Sequence, residues 1–492
     1  MVLTVILKPM NNHNIDLKAI AKQTMIDEGF EPDLPPQAQR ELHQLPTPPT
    51  PTLDLRKLLW SSIDNLESRD LDQVEVAERL PDNSIRVLVG IADVDSLVRK
   101  GSAIDAHAAA NTTSVYTGVT TFPMLPEELS TDKTSLLAGT DHEAIVIDFV
   151  VADDGSTQTR DIYPALLRNY AKLSYEVVGK WLDDDGATPV EISRVPGLEE
   201  QIRLQLEAAN RLRELRKEQG AIELETIQAT PVTDEHGTVV DLTTIERNSA
   251  RNIIENFMIA ANVTMAQFLE KHQMPSIRRV VRTPKDWPRI VELAQEHNEQ
   301  LPLEPDSRAL ADFLERQRRA DPLHFPDLSL ATVKLLGPGE YVAQSPGGAE
   351  TGHFGLAVQS YTHSTAPNRR YADLITQRLL KGASAKTGSP YRAEDLQQIA
   401  EHCSERESAA RKVERKMRKV AAAVFLRGRI GEEFRAIVTG VTPKGTFARA
   451  IKPPVDGLVV KGQHGLKVGQ QVRVKLLATD PHQGYIDFGV IH

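Results

Sequence analysis

The 492-residue chain holds a single cysteine, Cys403. An internal disulfide framework and a cysteine-rich zinc site are therefore excluded, and a reducing compartment suits the chain. Also missing is any apolar run of the roughly 20 residues that cross a bilayer. The opening Val2 to Leu7 is apolar but is closed at once by Lys8-Pro9, without a basic leader or a small-residue cleavage site, so it does not read as a signal peptide. The expected location is the cytoplasm, with no membrane partner. An excess of positive charge is lacking too. The net charge is -10, whereas nucleic-acid binding depends on Lys and Arg neutralising phosphates, so any nucleic-acid surface has to be local.

What is present fits a globular protein of several parts. The hydrophobic fraction is 40% and the charged fraction 26%, which argues against disorder and fibrous repeats. The length suggests about three domains. Residues 1–50 read as a small helical module. One helix starts after Asn14 as N-cap and runs through Leu17, Ile20, Ala21, Met25 and Ile26 to Gly29, and a second covers Pro36 to His43. The pair could form a helix-turn-helix. Leu45-Pro-Thr-Pro-Pro-Thr-Pro-Thr52 then makes a stiff, extended connector.

Residues 51–430 mix strands and helices. Ile85 to Ala92 and Ala144 to Ala152 read as buried strands, Leu198 to Gln219 and Ser249 to His272 as long helices, and His353 to Val358 as a strand entering a loop. Residues 431–492 show short strands punctuated by Gly and Pro, the rhythm of a small closed barrel. From Glu433 to His492 there are eight Lys or Arg against four Asp or Glu, a net +4, so the basic end is the C-terminus. Just upstream, Arg411 to Lys419 is a cation-rich helical stretch that reads equally as a phosphate track or as a solvated face. The fold class expected from these parts is a multidomain α+β protein.

The segment richest in chemistry is Ser61-Ser-Ile-Asp64-Asn-Leu-Glu-Ser-Arg-Asp70-Leu-Asp72-Gln73-Val-Glu-Val. Asp70 and Asp72 are two apart, so extended backbone turns both side chains to one side, and the intervening loop can bring Asp64 to the same place. Converging carboxylates repel unless they protonate or a cation sits among them, and hard oxygen ligands favour Mg2+ or Mn2+. An acidic surface turn has the same composition, and the residues by themselves leave both readings open.

This string resembles the first signature of the ribonuclease II and ribonuclease R family: an Asp, five residues, an Asp, one residue, and a pair of Asp. The likeness continues in the family's order through Asp54-Leu-Arg, Val89-Gly-Ile-Ala-Asp93-Val, Gly101-Ser-Ala-Ile-Asp105, Ser114-Val-Tyr116, Phe122-Pro-Met-Leu-Pro126, Gln219-Gly-Ala-Ile222, Glu255-Asn-Phe-Met-Ile-Ala-Ala-Asn262, His353-Phe-Gly-Leu356 and Ala366-Pro-Asn-Arg369-Arg370-Tyr371-Ala-Asp373. It spans most of residues 53–380.

The resemblance implies a catalytic domain of mixed α/β type over 51–430, and a processive 3'-to-5' exoribonuclease releasing nucleoside 5'-monophosphates from single-stranded RNA with a free 3' end. It makes Asp64, Asp70 and Asp72 the metal-associated carboxylates. Gln73 stands where the family has its fourth Asp; its neutral amide would hold a metal weakly or through water. A catalytically weakened RNA-binding protein and an endonuclease are the rival readings. Arg369 would clamp phosphate, since a guanidinium fork matches its oxygens, with Arg370 beside it; a surface salt bridge is the alternative.

Tyr116 would stack on a nucleotide, or else be core. Glu255 would contact the terminal ribose, or else pair with a cation along its helix. The C-terminal stretch resembles the OB-fold RNA-binding barrel repeated in the largest protein of the small ribosomal subunit, with Phe447 facing RNA or filling the barrel. The family carries two further OB-type domains before the catalytic one, and the 52 residues upstream are too few for even one. A monomer is expected.

Overall fold

The computed structural model describes residues 15–48, 50–184, 186–225, 230–234, 239–244, 247–348 and 351–491. Val2 to Leu7 and the proposed cap Asn14 lie outside them. The first described helix, Leu17–Asp27, is capped by Asp16, whose Oδ1 accepts from the Ala19 N–H at 2.9 Å. The second is Pro36–Leu42, opened by proline at its first position. These two do not form a helix-turn-helix pair. Leu17, Ala21 and Met25 bury against Ala409, Val413 and Met417 of the Ala393–Leu426 helix, whereas Ala38 joins the main core beside the Ala103–Asn111 helix. Each helix has its apolar stripe drawn to a different surface.

That main core is a closed barrel of β1 (Trp60–Asp64), β2 (Gln73–Arg79), β3 (Ile85–Ala92) and two long strands, Asp141–Val151 and Thr157–Ser174. Neighbours run antiparallel until the last strand closes the barrel by pairing parallel with β1, Asp64 opposite Ser174. Both strands read from sequence are here, the second beginning three residues earlier than expected. Gly90 lets the wall close: a Cβ there would run into Leu167, lie 3.1 Å from Val74 and 3.5 Å from Trp60. Gly90→Ala is expected to cost about 1–3 kcal/mol, the usual range for overpacking, and denaturant unfolding measures it.

Helices Leu198–Glu218 and Ser249–Lys271 pack over this barrel, as expected from their apolar periodicity. A separate helical core of Trp287–Glu296, Ser307–Ala320 and Phe325–Leu336 closes around Trp287, Ile290, Leu310 and Phe313. The expected strand at His353 to Val358 is instead a single 3-10 turn, Phe354–Leu356. The His353 imidazole accepts from the Leu356 N–H and Ala357 turns left-handed at φ 53°, so the backbone reverses rather than extends.

The C-terminal barrel is present: Glu433–Thr442, Gly445–Ala450, Asp456–Lys461, Gln471–Asp480 and Tyr485–Ile491 close on one another. Its interior, with Phe434, Ala436, Val474, Ile486 and Phe488, is continuous with the buried face of Ala393–Leu426. Gly484, left-handed at φ 69°, brings the last turn against that helix, where a Cβ would sit 2.9 Å from the Val420 nitrogen. Arg449, 5% exposed, ties the barrel to the Phe325–Leu336 helix by an ion pair with Asp327 at 2.7 Å. Of the cation-rich stretch, Val413 and Met417 are buried while Arg415, Lys416 and Lys419 are exposed. Among the described residues no helix is long and apolar enough to cross a membrane.

Candidate active site

The acidic segment leaves the end of β1 and returns as β2. Its far end is pinned from several sides. The Leu71 N–H donates to Ser135 Oγ at 2.9 Å, Ser135 Oγ donates to the Arg69 carbonyl at 2.6 Å, and the Ala92 N–H donates to the Asp72 carbonyl at 3.0 Å. Asp72 is thus held at the mouth of the barrel, 1% exposed. Its Oδ1 accepts from the Asn368 N–H at 3.1 Å and its Oδ2 from Arg369 Nε at 3.1 Å. Burial pushes its carboxyl up to about 7, with Arg369 and the Asn368 N–H opposing and Asp70 adding to the rise.

Asp70 Oδ2 accepts from the Tyr116 hydroxyl at 3.1 Å. Burial holds that hydroxyl firmly protonated, while the ring as a whole is 43% exposed. Asp64 Oδ1 accepts from the Asn65 N–H at 2.6 Å and from Ser68 Oγ at 2.9 Å. Its carboxyl is also raised, first by burial and in smaller part by Asp70, against those hydrogen bonds and Arg369. Asp70 and Arg369 are therefore the common electrostatic neighbours of Asp64 and Asp72, and Tyr116 closes the group.

Arg369 and Tyr116 reach this place together because their loops are tied. The Ser114 N–H donates to the Arg369 carbonyl at 2.9 Å, the Tyr371 N–H to the Thr112 carbonyl at 2.8 Å, and Thr134 Oγ1 to Asn368 Oδ1 at 2.5 Å. Arg370 is turned to another task. Its Nη2 donates to Asp373 Oδ1 at 2.6 Å, and Asp373, wholly buried, also accepts from the Ala366 N–H. This ion pair shapes the loop, while the buried Arg370 Nε has no hydrogen-bond partner. Glu255 is exposed on Ser249–Lys271, with Arg213 and Arg216 of the neighbouring helix as its electrostatic company, and it does not line the pocket beside Asp70. Phe447 is half-buried and stands outside the barrel's hydrophobic core.

Beside Asp70 and Tyr116 opens a pocket of about 1030 Å³, whose wall includes Arg69, Lys180, Arg247 and Arg251. Its size suits a small chain segment, and its wall interleaves those four cations with six acids, Glu67, Asp70, Glu127, Glu176, Asp183 and Asp184. Arg251 also lies over the Tyr175 ring at 4.2 Å and pairs with Glu176. Sequence reading missed Lys180, Arg247 and Arg251, which sit on separate helices or loops and share no motif.

Among the described residues no three His, Cys, Asp or Glu side chains converge closely enough to hold a metal ion between them. The donor chemistry nevertheless suits a hard cation. Mg2+ is commonly held by one or two carboxylates, completed by water and substrate phosphate, rather than by an all-protein cage. Gln73, 6% exposed, adds an amide at the start of β2. Two residues on, Glu75 is fully buried with both carboxylate oxygens lacking a hydrogen-bond partner. An orphaned buried carboxylate is the kind of group a cation satisfies.

The RNB domain profile matches residues 52–386, and that of the RNase II-type exonuclease C-terminal S1 domain matches residues 432–491. Ribonuclease R of Thermotoga maritima is 29% identical over 99% of this chain and 72% of its own length. Ribonuclease R 1 of Lactococcus lactis is 28% identical over 99% of this chain, which spans only 62% of that relative. The solved structure of Mycoplasma genitalium RNase R in complex with ribose methylated single-stranded RNA has the same fold, with a TM-score of 0.87 at 24% identity, covering 97% of this chain and 78% of that one. Pinned aspartates at a barrel mouth, a fork-bearing arginine against one of them, and a profile match over more than half of the sequence agree: this chain belongs to the RNB-domain family.

Proposed function

We propose that the chain is a Mg2+-dependent exoribonuclease that shortens single-stranded RNA from its free 3' end, processively, to nucleoside 5'-monophosphates. The observation that carries this reading is Arg369 held at 3.1 Å from Asp72 beside the Asp70–Tyr116 pair. Arg369 is half-exposed, so the guanidinium edge not facing Asp72 is available to a phosphate. Relatives named Ribonuclease R, and the RNA bound in a structure of the same fold, support the substrate class.

One or two carboxylates drawn from Asp64, Asp70 and Asp72, completed by water and the substrate phosphate, would hold the divalent cation, with Mn2+ as a substitute. When bound, the ion supplies Lewis-acid activation of water and neutralises charge on the phosphate. The protein's own groups then have distinct tasks. Arg369 fixes the scissile phosphate, and the half-exposed Tyr116 ring offers a face to a base without reading its edge. Water oxygen bonds to phosphorus, the bond to O3' of the penultimate nucleotide breaks, and a 5'-monophosphate leaves with a new 3'-hydroxyl on the shortened chain.

The test is product analysis. A uniformly labelled oligonucleotide incubated with Mg2+ should release mononucleotides alone. Fragments of intermediate length would indicate an endonuclease. Retention without cleavage would favour a second reading, an RNA-binding protein weakened at Gln73, for which the neutral amide at the head of β2 is the motivating observation.

Tyr116 gives a finer check. Tyr116→Ala should weaken oligonucleotide binding by about 1–3 kcal/mol, the usual worth of one stacked base, read as a rise in Kd by fluorescence anisotropy. Tyr116→Phe keeps the ring and removes only the bond to Asp70, so its affinity should stay near wild type. Equal losses in both variants would show that the hydroxyl, not the ring, matters.

A further inference from the structure

A second cavity, of about 700 Å³, opens at the far end of the barrel from Asp72. The turn joining Asp141–Val151 to Thr157–Ser174 forms one edge, and the helices Leu198–Glu218 and Ser249–Lys271 with the 357–360 segment form the rest. The ladder fixes its distance from the reacting centre. Ala144 pairs with Ala92, whose N–H meets the Asp72 carbonyl, and Val151 lies seven residues further along the strand, from 144 to 151, or roughly 23 Å at the rise of extended backbone. The cavity shares no wall residue with the pocket beside Asp70.

Inside it stands a cation without a counter-charge. Arg216 Nη2 donates to Asn256 Oδ1 at 2.5 Å, but an amide is neutral, and the buried Nε has no hydrogen-bond partner. Glu223, the acid on that side, is taken by Arg213 at 2.6 and 2.8 Å. Asn256, 2% exposed, has its own amide spent, since Nδ2 donates to the carbonyl and to Oδ1 of Asn252, each at 2.8 Å. Burial pulls the Arg216 pKa below the ordinary guanidinium value, and Glu255 and Glu223 offset only part of that. A half-buried guanidinium held by one neutral amide keeps its free N–H groups for an anion.

The rest of the cavity indicates what the anion carries. Leu215 and, on the neighbouring helix, Ile259 and Val263 give it an apolar middle, and beyond them stand the carboxamides of Gln267 and Gln359. From Asn256 to Gln267 is eleven residues of helix, roughly 16 Å. Side chains reaching in from each end leave about the length of one nucleotide. Apolar walls suit the faces of a base, and a carboxamide offers the paired donor and acceptor that a base edge takes. The acid on the wall, Glu270, stands further along the same helix and faces Arg278 at 3.6 Å.

We propose that this cavity binds a nucleoside 5'-monophosphate, with its phosphate on Arg216 and its base against Ile259 and Val263. Identifying the ligand as the product of this chain's own reaction rests on the exonuclease reading above. The site itself does not, because Arg216 and the apolar wall set its chemistry. A nucleotide held there leaves the Asp72 centre open.

The test is calorimetric titration of the full chain with adenosine 5'-monophosphate in EDTA, so that no cation holds the nucleotide at the aspartates, with thermal melting as a check on folding. Wild type should bind. Arg216→Met, which keeps the stem and removes the charge, should bind at least about tenfold more weakly, the scale of a lost hydrogen bond to a charged group. Adenosine should show a similar loss on wild type. No binding by wild type, equal binding by Arg216→Met, or inorganic phosphate binding as tightly as the nucleotide would each overturn the proposal. Should Arg216→Met melt early, Gln219→Glu decides, because Gln219 is exposed one turn from Arg216 on the same wall. A carboxylate there repels phosphate, so affinity about fivefold lower supports the site, and unchanged affinity overturns it. Products of RNA hydrolysis, measured alongside, keep the two levels apart. Mononucleotide release with no nucleotide bound in the cavity removes only this proposal, whereas binding by a chain that releases no mononucleotide overturns the exonuclease reading and leaves the cavity its ligand.

Discussion

Asp72→Asn is expected to reduce the single-turnover rate of RNA hydrolysis by at least about a hundredfold, the scale seen when one preorganised charge-stabilising group is removed. The Kd for a single-stranded oligonucleotide should stay within roughly threefold, since the change withdraws charge from the reacting centre and not from the cations along the pocket wall. Asparagine keeps one oxygen for the Asn368 N–H, so the loop retains that anchor, but an amide NH2 cannot accept from Arg369 Nε. Arg369 is then released from its fixed position. Gel resolution of products under single-turnover conditions, with anisotropy for binding, separates rate from affinity. A variant that hydrolyses normally would remove Asp72 from the reacting centre.

Arg378→Ala should destabilise the fold by about 3–5 kcal/mol, the cost of leaving buried charge without its partner. Arg378 is 4% exposed within Tyr371–Ser384. Its Nε donates to Asp95 at 2.8 Å, Nη1 to the Tyr391 hydroxyl at 2.8 Å and Nη2 to the Val98 carbonyl at 2.6 Å, and Nη1 forms an ion pair with Asp105 at 2.9 Å. Asp105 is itself buried, so removing the guanidinium strands a carboxylate. Denaturant unfolding reads the loss. Arg378→Lys should recover little of it, because an ammonium cannot match a guanidinium fork spread over three acceptors and a further carboxylate. The same helix begins directly after Arg369 and Arg370, so loosening it also loosens the arginine that meets Asp72. A fall of less than about 1 kcal/mol would show that the network is hydrated rather than sealed.

How much of this was legible depended on the range of the interactions. Buried runs such as Ile85 to Ala92, and helices whose apolar residues recur at three and four, declared themselves because period alone specifies them. The Thr157–Ser174 strand escaped notice because its exposed half is crowded with polar residues, Arg160 and Asp161 among them. Trp287, Ile290, Val291 and Ala294 do recur at helical spacing, yet nothing in them announces that three helices close a core of their own.

At the site, the spacing of Asp64, Asp70 and Asp72 was visible, and the resemblance supplied Arg369 and Tyr116. What the sequence could not show is the set of ties between distant segments. Asn368 reaches Thr134 and Asp72, and Ser114 reaches Arg369, across more than two hundred residues. The partners of Arg370 and Glu255 were hidden for the same reason, since whether a charge is free depends on a partner that period and motif do not name. Glu75 carried a signal that went unused, an acid between two valines at a buried strand position.

The apolar face of Ala393–Leu426 lies against several elements at once, among them the first helix, the strand bearing Tyr116 and the interior of the C-terminal barrel. Architecture of this kind has no seam at which to cut. A chain shortened before Glu433 would leave Val420, Ala421 and Leu426 facing water, a greasy strip inviting self-association. Grafting a foreign barrel onto this body would therefore demand matching the spine of the helix beneath it, and not merely splicing at a convenient loop.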